Sequence, residues 1–383
     1  MGQALISQKS KNGSNVIENN GRYWTKSNVT SGYRSVISYA DGLWVARCDS
    51  MYYSTDGMTW TQSDTLTVND WGFLSDFAYA DGVWVGGCGN GTGLHYSTDG
   101  KTWIQSNIAS GYFYEVANAN GMWLAGGSST TCLHYSTDGK TWTKTDAATT
   151  GITNLMNANG VWVAGSRSYN TGLYYSTDGM IWTKSNITGG TVTPAANANG
   201  VWVACNTGFS GVSGLYYSTD GMTWTQSNIT SGRFDKVINA NGVWMACYSY
   251  GTSYYSNDGK TWNQSSIASG GITCIENANG LWVAGGGSSA GLYYSIDGAT
   301  WTPSNITSGT FSEVVNSNGM WIARCSSGDT GLFYSADGVT WTKSNITSGN
   351  IGYLVCANGV WVAGDTSTDT HDGLWYSTIT REA

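Results

Sequence analysis

Side chains able to do acid–base, nucleophilic or metal chemistry are few in this chain of 383 residues, and they are scattered. Glutamate occurs at Glu18, Glu115, Glu276, Glu313 and Glu382, and arginine at Arg22, Arg34, Arg47, Arg167, Arg233, Arg324 and Arg381. A paired-carboxylate glycosidase would have to combine Glu115 or Glu313 with Asp76 or Asp235. Of the histidines, His95, His134 and His371, none has a Ser or Cys nucleophile motif beside it. His95 and His134 stand where a recurring segment elsewhere carries Tyr, which points to packing. Five of the eight cysteines (Cys48, Cys88, Cys205, Cys247, Cys325) follow a recurring Trp by three or four residues, and Cys132, Cys274 and Cys356 lie elsewhere. With no Cys-x-x-Cys pair, the expectation is small buried thiols in a reducing compartment, with no zinc site. These residues predict no catalytic constellation, no metal and no cofactor.

Any site must be positioned by a repeat. Leu-Tyr-Tyr-Ser-Thr-Asp-Gly-x-x-Trp stands intact at Leu173 to Trp182 and at Leu215 to Trp224, with near copies ending at Trp60, Trp103, Trp142, Trp262, Trp301 and Trp341. About twenty residues before each copy comes Asn/Asp-Gly-x-Trp, supplying Trp44, Trp84, Trp123, Trp162, Trp202, Trp244, Trp282, Trp321 and Trp361. Their spacings are 40, 39, 39, 40, 42, 38, 39 and 40, a period that means propeller blades. The predicted fold is all-β: a single β-propeller of nine four-stranded blades, with eight as the alternative. The blades start near 33, 73, 112, 151, 190, 233, 271, 310 and 350. Residues 1–21 are expected as an extension, 22–378 as the propeller and 379–383 as a tail.

The third repeat shows the expected blade. Glu115 to Ala119 is a strand, and Asn120-Gly121 a two-residue turn needing positive φ. Met122 to Gly126 and Leu133 to Ser136 are the next strands. After the turn Thr137-Asp138-Gly139-Lys140, Thr141 to Lys144 is the last. Arg22-Tyr23-Trp24-Thr25-Lys26-Ser27-Asn28 matches only the end of a repeat, and Gly373 to Thr378 only the middle. Pairing the two fragments would complete the ninth blade and leave no open sheet edge.

Composition agrees with an all-β chain and narrows its partners. Gly numbers 53, Trp 20 and Tyr 24, while charged residues make up 11%. A net charge of −8 argues against nucleic acid, which needs a basic face, and no apolar run is long enough to cross a membrane. Residues 1–20 show no apolar signal segment, and the residues after Gly2 miss the myristoylation pattern.

The Ser-x-Asp-Gly-x-x-Trp turn resembles the Asp-box of the bacterial neuraminidase repeat, from Trp24 to Thr378. It departs from that box by lacking one residue between Asp and Trp. The resemblance implies a propeller in which Asp56, Asp99, Asp138, Asp178, Asp220, Asp258, Asp297 and Asp337 each accept turn N–H groups. One carboxylate per turn falls far short of a calcium site. Sialidases of this family use an arginine triad, a Tyr–Glu pair and an Asp, and no Glu here sits in a matching motif. Long arrays of such repeats also look like proteins of gut bacteria and their phages. That likeness implies a virion tail or fibre protein folded in host cytoplasm, with an extracellular or cell-surface setting as the alternative.

Variation between repeats locates the expected binding face. The turns joining strands one to two and three to four barely change, whereas the two-to-three and four-to-one loops change freely. Those loops should share one end of the ring. The residues expected to bind there are Arg34, Trp71, Tyr112, Arg167, Tyr169, Phe209, Arg233, Phe234 and Tyr250, exposed aromatics interleaved with polar groups. The expected function is non-enzymatic attachment to a glycan or protein receptor, or to other virion proteins. The alternatives are a structural virion protein and a sialidase-like hydrolase. Asn-x-Thr sequons at Asn28, Asn186, Asn228, Asn305 and Asn345 would matter only in a eukaryotic secretory setting.

Overall fold

The computed structural model describes residues 21–30, 36–63, 74–89, 91–128, 131–146, 151–152, 154–165, 172–206, 213–267, 271–287, 290–328, 330–346, 351–365 and 373–378. These form nine four-stranded antiparallel sheets arranged as the blades of a closed nine-bladed propeller. The innermost strands of blades 1 to 9 are Val36–Ala40, Leu74–Ala80, Phe113–Ala119, Asn154–Ala158, Val192–Ala198, Lys236–Ala240, Ile272–Ala278, Thr310–Ser317 and Ile351–Ala357. From blade 9 through blade 1 to blade 8, each innermost strand touches the next, so these strands surround the axis. The outermost strands are only two residues long, as in Thr143–Lys144, and each box Trp lies just before its strand.

Among the described residues, apolar burial is divided among nine seams between blades. In the seam between blades 1 and 9, Trp44 and Trp60 pack with Val362 and Leu374. Between blades 4 and 5, Trp202 and Trp224 pack with Val163 and Leu173. Each repeat thus supplies two indoles to the seam with its predecessor, the largest apolar surfaces available to a short-stranded sheet.

The two invariant turns have local causes. Asn199 and Gly200 both take positive φ, 52° and 76°, as do their equivalents in every blade, the twist that a two-residue hairpin demands. In the box, the Ser54 hydroxyl donates to Asp56 Oδ1 (2.8 Å), which also accepts the N–H groups of Met58 and Thr59 (2.8 Å each). Burial alone would raise the Asp56 carboxyl; those N–H groups outweigh it and hold the group below its usual value.

A second device joins the blades. Asn186 Nδ2 donates to the carbonyl of Trp224 (2.8 Å), and its Oδ1 accepts the Trp224 N–H (2.8 Å). Asn28, Asn107, Asn228, Asn305 and Asn345 grip the Trp of the following blade in the same way. The five sequons therefore have a structural role that the sequence did not reveal: their amides already use both functions across a seam. Asn186→Ala is expected to lower unfolding free energy by about 1–3 kcal/mol, because two backbone groups of Trp224 lose their partners. Asn186→Asp should lose less, since Asp146 by itself accepts the Trp182 N–H at 3.1 Å. Urea denaturation of the two variants checks the order.

The ninth blade is split between the two ends of the described chain. Thr25–Lys26 pairs with Leu374–Thr378, Thr25 opposite Tyr376 and Lys26 opposite Trp375. The box is rebuilt there as well. Gly21 donates its N–H to Ser377 Oγ (2.9 Å), as Gly57 does to Ser54 Oγ. Gly21 takes φ 74° against 73° at Gly57, and a Cβ on it would lie 2.3 Å from Ile322 Cδ1. Trp24 Nε1 then donates to the Gly21 carbonyl (3.0 Å).

Candidate functional site

The two variable loop sets do meet at one end of the ring. In blade 2, Gly93 N–H donates to Gly111 O and Leu94 N–H to Ile108 O, tying the second-to-third loop to the segment that leads into blade 3. Between blades 6 and 7, Ile272 N–H donates to Tyr248 O (3.0 Å). Of the residues expected to bind there, Tyr112, Arg233, Phe234 and Tyr250 are described. Arg34, Trp71, Arg167, Tyr169 and Phe209 lie outside the described residues.

Tyr250 is the most exposed of these, at 77%. Tyr112 is exposed too, with its ring beside Gly91 of the preceding blade, and Tyr114 joins it. Arg233 and Asp235 pair at 3.2 Å on the rim of blade 6. Phe234 is a correction: it is only 1% exposed and packs with Val237, Trp244 and Val203. It lies seven residues before the turn residue Asn241, a slot filled in other blades by Phe113, Ile152, Val192, Ile272, Phe311 and Ile351, all buried. Counting back from the Asn-Gly turn would have exposed this core slot.

A β-bulge explains the phase. In blade 3 the register shifts between Phe113 and Glu115, so Phe113 and Val116 share the seam with blade 2. Glu115 is left facing blade 4, where it accepts the Leu155 N–H (3.0 Å). Asp76, in the same slot of blade 2, accepts the N–H groups of Val116 (3.0 Å) and Phe77 (2.9 Å). Burial nevertheless pushes the Asp76 carboxyl up to about 6.

That slot carries charges in blades 6 and 8. Lys236 Nζ donates to Ile275 O of blade 7 (2.9 Å). Glu313 Oε2 lies 3.6 Å from Arg324 Nε, directly across the hairpin, and Arg324 also donates to Ile351 O of blade 9. Burial drives the Glu313 carboxyl up to about 7, against the pull of Arg324 and Lys236, and also raises that of Glu276. Among the described inner-strand acids, Asp76 and Glu115 lie on adjacent blades 2 and 3, and Glu276 and Glu313 on adjacent blades 7 and 8.

Most of the remaining reactive groups among the described residues are buried. Cys88 Sγ lies 3.6 Å from His95 Nδ1 with both residues buried, and burial pushes this thiol up to about 11. Cys247 and Cys274 are pushed up to about 12 by the same cause, and all eight cysteines are free thiols. His134 packs edge-on against Phe113; burial, with Lys144 second, lowers it to about 4, so it is neutral at physiological pH. Among the described residues no group of three or more His, Cys, Asp or Glu is placed to hold a metal. Arg22 lies over Tyr334, Arg324 is in a seam and Arg233 is on the rim, so these three do not converge.

The opposite face is uniform and self-linked. The Tyr79 hydroxyl donates to Asp41 Oδ2 of the preceding turn (3.0 Å), Asn241 Nδ2 to Asn277 Oδ1 (3.1 Å), and Asn358 Nδ2 to the Tyr39 hydroxyl. These turn side chains serve the ring.

No family model and no curated protein matches the chain. Among solved structures it is similar to the computationally designed Ika8 protein, with a TM-score of 0.58 and 10% identity over 94% of this chain and all (100%) of that one. It is also similar to a GH74 enzyme of Niastella koreensis, with a TM-score of 0.45 and 19% identity, covering 89% of this chain and 56% of that one. At 10% identity the likeness to Ika8 is one of fold alone, and one fold serves many functions.

Proposed function

We propose that the protein is a non-enzymatic binding module whose ligand, a glycan or a protein surface, docks on the face made by the second-to-third and fourth-to-first loops. The contrast between the two faces carries this reading. One end consists of near-identical turns, three of which, through Asp41, Asn241 and Asn358, bond to a side chain on the inner strand of the neighbouring blade. The other exposes Tyr112 and Tyr114 on blade 3, and Tyr250 on blade 6 near the paired Arg233 and Asp235; Tyr and Arg are residue types that anchor interfaces. The commitment of the Asp76 and Glu115 carboxylates to N–H groups of the next blade supports a structural role for them. The attachment apparatus of a virion suits such a rigid platform, and we include that setting in the proposal.

A glycan array probed with the full chain, together with pull-down of candidate virion proteins, tests this reading. Tyr112→Ala and Tyr250→Ala are expected to weaken binding by about 2 kcal/mol each at unchanged melting temperature. Asn199→Ala should lower melting temperature and leave binding intact, because Ala is strained at positive φ. Ligand docked on the uniform face would reverse the choice of face. Glycoside turnover abolished by Glu313→Gln would replace the binding reading with a catalytic one.

A further inference from the structure

We infer that the rim of blade 6 carries a subsite for a neutral pyranose sugar, with the Tyr250 ring as its stacking platform. The inference rests on the binding reading above and narrows it to one place and one ligand class.

Tyr250 is held out from the surface by a braced loop. Ser249 donates to Asp235 Oδ2 through both its N–H (3.0 Å) and its hydroxyl (2.6 Å). Tyr248 meets the Tyr250 ring edge to face, centroids 6.1 Å apart at 74°. The Tyr248 carbonyl accepts the Ile272 N–H of blade 7. Gly271 fits so closely beneath the loop that a Cβ there would lie 2.3 Å from the Ser249 carbonyl. A loop braced in this way holds the backbone that carries the exposed Tyr250 ring in place, so binding there loses little loop entropy.

The surroundings select the partner. Around Tyr250 stand Ser249, Asp235 and Arg233, which are hydrogen-bonding groups, and no other large apolar side chain of blade 6 is exposed among the described residues. A protein interface would need a cluster of anchors over roughly 800 Å² per partner. One ring beside a few polar groups matches a single pyranose instead, with its C–H face on the aromatic and its hydroxyls toward the polar side. Charge disfavours an acidic sugar. Arg233 is offset by Asp235 at 3.2 Å, and the exposed Lys236 gives its Nζ to Ile275 O of blade 7. The chain as a whole carries −8, which disfavours a ligand carboxylate.

The test is calorimetric titration of the full chain with methyl glycosides of neutral hexoses and, in parallel, of a uronic acid and a sialic acid. Neutral glycosides are expected to bind ahead of acidic ones. Tyr250→Ala should weaken that binding about tenfold or more, while Tyr250→Phe, which keeps the ring, should stay within about threefold of wild type. Both variants should melt with wild type, because the side chain is exposed. Neutral-sugar binding that survives Tyr250→Ala would overturn the inference and leave the wider reading standing, with its site elsewhere on the face. Preferential binding of acidic glycosides, or of no glycoside, would also overturn it; a protein ligand mapped to the same face would then keep the wider reading alone.

Discussion

Deleting residues 22–28 is expected to open the ring and produce the largest loss of stability of any small change. The segment supplies the outermost strand of blade 9 and covers the edge of Leu374–Thr378. It also carries Trp24, buried between blades 8 and 9 with Ile322, Leu332, Ile346 and Trp361. Two inter-blade grips go with it: Asn345 on the backbone of Trp24, and Asn28 on that of Trp60. Trp24→Ala alone should cost about 3–5 kcal/mol, as for a large aromatic removed from a packed core. The deletion should cost more and should aggregate through the freed edge. Denaturant midpoints and size-exclusion profiles measure both effects. A deletion variant that stays monomeric with the wild-type midpoint would refute this account of closure.

The stability contributed by Asp76 and Glu313 is expected to fall as pH rises from about 4 to 7, the reverse of what most carboxylates produce; buried His134, lowered to about 4, opposes this over the same range. Burial holds Asp76 at about 6 against an ordinary 3.8, and Glu313 at about 7 against 4.5. The folded ring therefore binds these protons more tightly than the unfolded chain. Their contribution is fully present below the unfolded values and is lost as pH passes through the folded ones. For Asp76 the shift corresponds to as much as about 3 kcal/mol. The box aspartates act in the opposite sense. Asp178 is held below its ordinary value, first by the Ile181 N–H, and contributes stability that disappears as pH falls through that lower range. Urea unfolding should thus show a maximum in mildly acidic buffer, with Asp76→Asn flattening the limb above it. The Asn oxygen can still accept the Val116 N–H. Stability that climbs steadily from pH 4 to 8, or an Asp76→Asn variant with an unchanged upper limb, would be the contrary result.

Blade number, strand order, the positive-φ hairpins, the box hydrogen bonds and the split ninth blade were all legible in the sequence. Each rests on chemistry within one repeat or on matching fragments of it. The errors came where a residue's partner belongs to another repeat. Phe234 looked like a surface aromatic between Arg233 and Asp235, yet it shares a seam with Val203 of the preceding blade. The Asn residues after the outermost strands looked like sequons, and their bonding partners lie 32 to 38 residues further on, or 321 back for Asn345.

The sequence by itself determined an all-β ring of nine repeats, because a fixed period of short strands with tight turns can bury its indoles only by stacking blade on blade. Only the tertiary structure decided which side chains face solvent and which face a seam. Both faces of a blade's sheet are covered by neighbours, so alternation along a strand does not separate inside from outside. A bulge beside the core slot, as between Phe113 and Glu115, then resets the phase. The burial of Asp76 and Glu313, and with it their retained protons, follows from that packing and from nothing local to their own repeats.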